Sequence, residues 1–192
     1  MNLRQHLRAL AADRAVPPDP VSAPRPSDRH SARYEGYGPG DCALLVDCVT
    51  SDRPATQRAL RSAFRQHGGH LAATGAVAYL FNEVGLLTFA PDTPAAPLRR
   101  CAWQAGAEDV IVGPEGAIEV LTDPPELQAV GSRLTRAGFA PLEAEVTWRA
   151  ADRVGVAGEA ARELLALIER LHGLTEVRSV YTNAEIASEL LA

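Results

Sequence analysis

RYEGYGPG at residues 33–40, followed by ALLVDCVT at residues 43–50, is the stretch that decides the fold of this chain. Its glycines and proline favour turns, so we expect a turn-rich tract here. The apolar run behind it predicts a buried strand at residues 42–50. Ser51 and Asp52 then offer a cap for a helix in which Pro54 is an early residue, and Gly68-Gly69 can end that helix. A turn, a strand and a helix thus open the first folded unit.

Hydrophobic periodicity predicts the remaining elements of the chain. In order they are strands at 75–81 and 85–89 joined by a hairpin turn, a helix at 98–105, strands at 109–112 and 117–121, a helix at 124–137, a strand at 142–148, a helix at 159–171 and a strand at 177–181. Helices and strands mixed in this way predict an α+β fold.

The same pattern predicts how the chain is divided into domains. The first unit, residues 34–91, offers a strand, a helix and two strands, and lacks a second helix and a fourth strand. Residues 152–192 supply both, so we expect one split domain, 34–91 plus 152–192, with an inserted α+β domain at 92–151. Residues 1–33 contain leucines at helical spacing and then a segment rich in proline and serine. We expect them to form a flexible N-terminal tail.

Composition limits the classes of protein to which the chain can belong. At 46% hydrophobic and 22% charged residues, it has the make-up of a globular protein that builds its own core. No apolar run approaches the roughly 20 residues of a membrane span, and no signal peptide is evident. We therefore expect a cytoplasmic protein with no membrane partner.

Arginine supplies all nineteen basic side chains, because the sequence contains no lysine. This excludes the lysine of a P-loop, of a Schiff base and of a kinase strand. Residues 1–33 carry six arginines against three acids, and the remainder carries thirteen against twenty-one. An acidic body argues against broad binding to phosphate backbones, so any nucleic-acid contact has to be local.

One local basic surface is predicted on the helix that ends near Gly68. At 100° per residue and with Leu60 at zero, Arg58, Arg61 and Arg65 fall at about 160°, 100° and 140°, opposite the apolar side. Three guanidinium groups on one exposed stripe can bind phosphate oxygens, and a solvated polar face is the alternative. The candidate nucleic-acid-binding residues are Arg58, Arg61, Arg65, Arg53 and Arg33.

The glycines and tyrosines of the tract each allow two interpretations. Gly36, Gly38 and Gly40 could hold an anion, but a strand follows them where an anion site needs a helix. Glycine turns explain them better. Tyr34 and Tyr37 could stack on bases, or they could pack inside the protein.

Metal, cofactor and catalytic sites are not predicted. His67 and His70 are three residues apart, but no third ligand is nearby. Cys42 and Cys48 would lie roughly 20 Å apart on one strand, too far for a disulfide, and are expected to be buried. Since no nucleophile elbow or pair of carboxylates is marked out, we expect no enzyme, no metal and no cofactor.

Four segments together carry a resemblance: RYEGYGPG, ALLVDCVT, AFRQHGG at 63–69 and GAVAYLF at 75–81. They are similar to the YebC/PmpR family of proposed transcriptional regulators, whose mitochondrial members are translational activators. Shorter matches continue in order to the C-terminus, for example AGAEDV at 105–110. The family motif comprises Tyr34, Gly36, Tyr37, Gly38, Pro39, Gly40, His67, Gly68 and Gly69. The resemblance implies two interleaved ferredoxin-like α+β domains, one inserted in the other.

The chain also departs from the family pattern. Members normally begin with a lysine-rich helical domain, and here there is a short arginine-bearing head and a proline-rich tail. Asp41 stands where the family usually has glycine, His70 replaces a usual asparagine, and Glu83-Val84 replaces a commonly basic pair. These changes make the surface less basic than is usual in the family.

Two functions follow from the resemblance and its departures. The first is a non-enzymatic regulator of gene expression that acts on DNA, or on RNA and the ribosome. The second is a protein–protein interaction module that has lost nucleic-acid binding together with the helical domain. The arginine stripe favours the first, and the acidic body favours the second.

Overall fold

The computed structural model of the chain describes residues 29–113 and 116–186. These residues divide into two compact units. The first reaches from residue 29 to Phe81 and resumes at Ala150, and the second is Asn82–Arg149. The strand expected at 85–89 therefore belongs to the second unit, although the sequence suggested the first. The short helix and most of the tail expected within residues 1–33 lie outside the described residues.

The described part of the chain contains ten strands and four α-helices. In chain order they are β1 (His30–Tyr37), β2 (Ala43–Thr50), α1 (Arg53–Gln66), β3 (His70–Leu71), β4 (Phe81–Phe89), α2 (Ala95–Ala105), β5 (Asp109–Val112), β6 (Ile118–Thr122), α3 (Leu127–Arg136), β7 (Glu143–Ala150), β8 (Val154–Val156), α4 (Gly158–His172), β9 (Val177–Thr182) and β10 (Ala184–Ile186). Most of them lie within a few residues of the predicted positions. The strands β3, β8 and β10 were not predicted, because two or three residues show no periodicity.

The first unit is built on a four-stranded antiparallel sheet in the order β3-β1-β2-β9. Helices α1 and α4 pack on the face of β2 that displays Leu44, Val46 and Cys48. Cys42 and Cys48 are 0% and 2% exposed, which confirms that the two cysteines are buried. Strands β8 and β10 form a separate parallel pair.

The second unit has the element order βαββαβ, from β4 to β7. Its sheet has the order β5-β6-β4-β7, which is the arrangement of a ferredoxin-like domain. Leu98 of α2 with Val130 and Leu134 of α3 pack against Leu87 and Val120 of the sheet. Sheets of antiparallel strands with helices on them confirm the predicted α+β class.

The four-stranded sheet of the first unit resembles that of the second, but its strands follow one another differently along the chain. In its sheet, β1 occupies the inner position that β6 holds in the second unit, although β1 comes first in the chain. The prediction of a turn-rich tract at 33–40 was wrong for most of its length, because β1 pairs with all eight residues of β2. Residues 30–33, assigned to the tail, are the beginning of this strand. Only Pro39–Asp41 forms a turn.

The strand predicted at residues 75–81 is not formed. The chain makes a turn there, followed by a short 3-10 helix at Ala78–Leu80. Strand β4 then runs unbroken from Phe81 to Phe89 and pairs with β6, so the hairpin predicted at 82–85 is also wrong. A glycine followed by alternating apolar residues suggested a strand that the surrounding structure does not allow.

One carboxylate explains why this segment is not a strand. Glu35 is 4% exposed. Its oxygens accept three backbone hydrogen bonds, from Gly75 (2.6 Å), Val77 (2.7 Å) and Ala78 (2.9 Å). Burial by itself raises the pKa of Glu35, but the three bonds, helped by the nearby Arg33, outweigh burial and leave the pKa lowered. Backbone N–H groups bonded to a side chain are not available to a neighbouring strand.

Helix α1 begins and ends as the sequence predicts. Asp52 caps its first turn by accepting a hydrogen bond from the Ala55 N–H at 2.9 Å. At the other end Gly68 has a φ of +71°, and the Gly69 N–H donates to the Phe64 carbonyl at 2.8 Å. This is the Schellman arrangement, in which glycine adopts a left-handed conformation that other residues avoid.

Replacing Glu35 with glutamine should lower the free energy of unfolding by about 2 kcal/mol at pH 7, because an amide nitrogen cannot accept hydrogen bonds. A lowered pKa means that the carboxylate stabilises the fold above its unfolded pKa of about 4.3. That stabilisation is lost as the pH falls through the folded pKa. Urea unfolding should therefore show a difference between the two proteins at pH 7 that closes as the pH is lowered through the folded pKa of Glu35.

Glu169→Gln is the matched control, because Glu169 is exposed on α4. It should change the free energy of unfolding by less than about 0.5 kcal/mol at either pH. A difference between wild type and Glu35→Gln that stayed equally wide in acid would contradict the role given to the Glu35 carboxylate.

Replacing Asp41 with glycine is expected to stabilise the protein. The φ of Asp41 is +57°, and it is the one non-glycine residue in the described chain with a positive φ. Glycine adopts this conformation freely, and aspartate tolerates it better than alanine does. Asp41→Gly should therefore raise the free energy of unfolding by about 0.5 kcal/mol and Asp41→Ala should lower it by about 1 kcal/mol. Asp152→Gly, at an exposed position with ordinary φ, should be slightly destabilising. A stability order other than Gly, Asp, Ala at position 41 would count against strain there.

Candidate nucleic-acid interface

The exposed face of α1 forms a shallow groove of about 330 Å³ between arginine side chains. The lining residues are Arg58, Arg61, Ser62, Arg65 and Gln66. Three of them are the arginines that the helical wheel placed on one stripe, and all three are exposed. The opposite side of the helix carries the predicted buried residues Leu60, Ala63 and Phe64. We call the face of Arg58, Arg61 and Arg65 the α1 arginine face.

The α1 arginine face has a positive charge that its own helix does not neutralise. Helix α1 contains four arginines and no aspartate or glutamate. With the described residues, Arg58, Arg61 and Arg65 make no ion pair and no side-chain hydrogen bond. Arg58 and Arg65 are seven residues apart, or about 10 Å along the helix axis. Guanidinium groups so placed can donate to successive phosphates of one strand.

The other two candidate arginines occupy different surroundings. Arg33 lies on β1, and its guanidinium binds both carboxylate oxygens of Asp47 on β2, at 2.6 and 2.8 Å. Arg53 is the first residue of α1 and donates to the Ser31 carbonyl at 3.2 Å. The structure therefore brings Arg58, Arg61 and Arg65 together, and it places Arg33 in an ion pair within the sheet.

The family-motif residues hold the first unit together. Gly36 lies where β1 passes below α1, and a Cβ atom there would be 2.6 Å from the Phe64 ring and 2.8 Å from the His70 carbonyl. Tyr37 stacks on the His70 ring, with centroids 5.3 Å apart, and its hydroxyl donates to the Ala76 carbonyl at 3.1 Å. Within the tract, a positive φ occurs only at Gly40, so close approach and not turn geometry accounts for Gly36.

Glu35 was not predicted from the sequence, although it is the residue of the tract with the most hydrogen bonds to the segment after β3. Two signals could have identified it. Alternation along a strand puts Glu35 on the same side as Tyr37, and a lone carboxylate among glycines and aromatics needs a partner. Neither signal could be used while the tract was interpreted as a series of turns.

Histidines and other potential metal ligands are used in other ways. The His67 ring lies 3.0 Å from the Glu163 carboxylate, which links the end of α1 to α4. Among residues 29–113 and 116–186, no three His, Cys, Asp or Glu side chains form a group that could hold a metal ion. In the same part of the chain, no helix is long and apolar enough to cross a membrane.

Comparison with known families identifies the class of protein. Residues 29–184 match the family model described as "TACO1/YebC second and third domain". The chain therefore belongs to the TACO1/YebC family, which confirms the resemblance carried by the tract and by the segments after it.

Individual relatives support the same assignment. The chain is 45% identical over 157 residues to a "Probable transcriptional regulatory protein" of Halorhodospira halophila, and 44% identical over 160 residues to the protein of that description, MCA1220, from Methylococcus capsulatus. A relative from Francisella tularensis with the same description is 42% identical. The alignments cover 82–83% of this chain and 64% of each relative, so the chain spans less than two thirds of their length.

A solved structure has the same fold. The crystal structure of the conserved hypothetical protein Aq1575 from Aquifex aeolicus superposes with a TM-score of 0.78 at 33% sequence identity. The match covers 88% of this chain and 70% of that one. Because that protein is described as hypothetical, the match supports the fold and says nothing about an activity. The relatives are named as regulators and not as enzymes.

Proposed function

We propose that this chain is a non-enzymatic regulator of gene expression that contacts nucleic acid through the α1 arginine face. The observation that carries the proposal is the set of three exposed guanidinium groups on a helix without acids. A chain with a formal net charge of −5 has to concentrate positive charge locally to hold a phosphate backbone. The printed descriptions of the relatives, "probable transcriptional regulatory protein", support the same class of function.

The proposed contact is with the backbone and not with the bases. Arginines 10 Å apart on a helix, at about 1.5 Å per residue, reach phosphates on one strand. Helix α1 carries no exposed aromatic side chain that could stack on a base. Binding through this face should therefore be sensitive to salt and tolerant of sequence. Both a DNA-binding transcriptional regulator and a ribosome-associated translation factor are compatible with such a contact.

A second candidate is a protein–protein interaction module. The observation that favours it is charge, because the chain beyond residue 33 carries twenty-one acids against thirteen arginines. Such a module would bind a basic or apolar partner through another surface, and the α1 arginine face would remain solvated. Nucleic-acid binding by the purified chain distinguishes the two candidates.

Replacing Arg58, Arg61 and Arg65 together with glutamine tests the proposal. Fluorescence anisotropy would follow binding of the full chain to a labelled 20-base-pair DNA and to an RNA hairpin. For three phosphate contacts on DNA, the wild-type affinity should fall roughly fortyfold between 50 and 200 mM salt. The triple variant should bind at least tenfold more weakly at 50 mM salt. The slope of its log affinity against log salt concentration should also be smaller, by the amount that about three phosphate contacts contribute.

Arg162→Gln, Arg170→Gln and Arg178→Gln provide the matched control, since these exposed residues lie on α4 and β9 and the net charge changes equally. The control variant should keep most of the wild-type affinity. Equal binding by the two triple variants would remove the α1 arginine face from the function. If no probe bound the wild-type chain at 50 mM salt, the interaction module would be the better account. Sedimentation of ribosomes with the chain would assign it to translation.

A further inference from the structure

The two helices of the second unit are also free of acids. Helix α2, AAPLRRCAWQA, carries Arg99 and Arg100, and helix α3, LQAVGSRLTR, carries Arg133 and Arg136. All four arginines are exposed. Most acidic residues of this unit lie on the strands and loops instead, with Glu119, Glu143 and Glu145 on β6 and β7, and Glu126 lies just before α3. The helical layer of the second unit is therefore positive within an acidic chain.

A large aromatic side chain is exposed on α2, on the same side as its two arginines. Trp103 on α2 is 51% exposed. With Arg99 at zero and 100° per residue, Trp103 falls at about 40° and Arg100 at 100°, so Trp103 lies on the same side of the helix as the two arginines, about one turn closer to its C-terminal end. The buried residues Leu98 and Ala102 are on the other side of the helix. Solvent exposure of a tryptophan is costly and is typical of binding surfaces.

Helix α3 adds positive charge beside the same end of α2. The Arg133 guanidinium donates to the Ala105 carbonyl at 2.7 Å. Ala105 is two residues after Trp103, so this bond holds the Arg133 side chain at the C-terminal end of α2. Arg136 follows in the last turn of α3 and is exposed. Since α2 and α3 pack on the same face of one sheet, their exposed sides point away from that sheet together. We call the surface of Arg99, Arg100, Trp103, Arg133 and Arg136 the α2–α3 face.

We infer that the α2–α3 face binds unpaired RNA, with a base stacked on Trp103 and the adjoining phosphates held by Arg99 and Arg100. Proteins that bind single strands combine aromatic side chains with nearby positive charge, because the ring stacks on a base and the cations bind the phosphates. Arg133 and Arg136 extend the positive surface along the strand. The inference depends on the proposed function only in assuming that the chain acts on nucleic acid, and it concerns a different surface from the α1 arginine face.

The chemistry of the α2–α3 face selects an unpaired strand over a duplex. An indole on the exposed side of a helix can stack only on a base that is already out of its pair, since bases inside a duplex are covered by their neighbours. Loops, bulges and ends of folded RNA offer such bases, and stacking on aromatic rings is the usual way of recognising them. A basic protein partner is disfavoured, because four exposed arginines would repel it.

Binding of a fluorescein-labelled 12-nucleotide oligouridine to the full chain tests the inference. Oligouridine has no stable pairing, so its bases are available. Trp103→Ala should weaken binding about tenfold, and Trp103→Phe, which keeps an aromatic ring, should stay within about threefold of wild type. Tryptophan fluorescence should be quenched by the RNA in the wild-type chain, and much less in Trp103→Phe.

Charge is tested on the same surface with Arg99→Gln combined with Arg100→Gln. This double variant should bind oligouridine at least fivefold more weakly than the matched control, Arg162→Gln with Arg170→Gln on α4, which removes the same charge. Circular dichroism and thermal unfolding would verify that the variants, all at exposed positions, remain folded.

Three results would overturn the inference. They are unchanged oligouridine affinity in Trp103→Ala, equal binding by the two double variants, and a loss of affinity for a 12-base-pair DNA duplex in Trp103→Ala as large as its loss of affinity for oligouridine. Failure of the α1 arginine face is recognised separately. In that case Arg58, Arg61 and Arg65 could be replaced without effect while Trp103→Ala still weakened RNA binding.

Discussion

The buried Glu35 carboxylate is the interaction on which the first unit depends. It lies on an inner strand and accepts three backbone hydrogen bonds from residues 75–78. One side chain therefore fixes the conformation of a segment that is not hydrogen-bonded as a strand. A buried charge is tolerated only when such bonds compensate for lost hydration. Gly36 beside it lets β1 pass close to α1. The tract is thus a structural device, and the surfaces available for binding lie elsewhere.

Charge segregation between helices and strands is the second organising feature. Helices α1, α2 and α3 carry eight arginines and no acids, whereas α4 is mixed and the other described charges are divided between strands and loops. In a chain with more acids than bases, this distribution concentrates positive potential on a few helical faces. Each such face is small, so a partner must be recognised by local contacts and not by the field of the whole protein.

The sequence predicted what depends on local periodicity and missed what depends on distant partners. Helix α1 and its Gly68 end, the core residue Leu60 and the exposed arginine stripe all follow from spacing along one helix. Strand β1 was missed because its one glycine, Gly36, is explained only once Phe64 is known to be close to it. Residues 75–81 were misassigned because Glu35, forty residues away, binds that backbone. Trp103 was not predicted as a functional residue, since its exposure cannot be known before the helix is placed on its sheet.

The position of β9 has a consequence for biosynthesis. Strand β2 needs β9 on one side, and about 130 residues, including the whole second unit, are made between them. The second unit is contiguous, so its whole sequence is available for folding before β9 is made. Until β9 follows, one edge of the apolar strand β2 has no partner, and such an edge readily joins other chains. A truncated product that stops short of residue 177 is therefore a candidate substrate for chaperones and proteases.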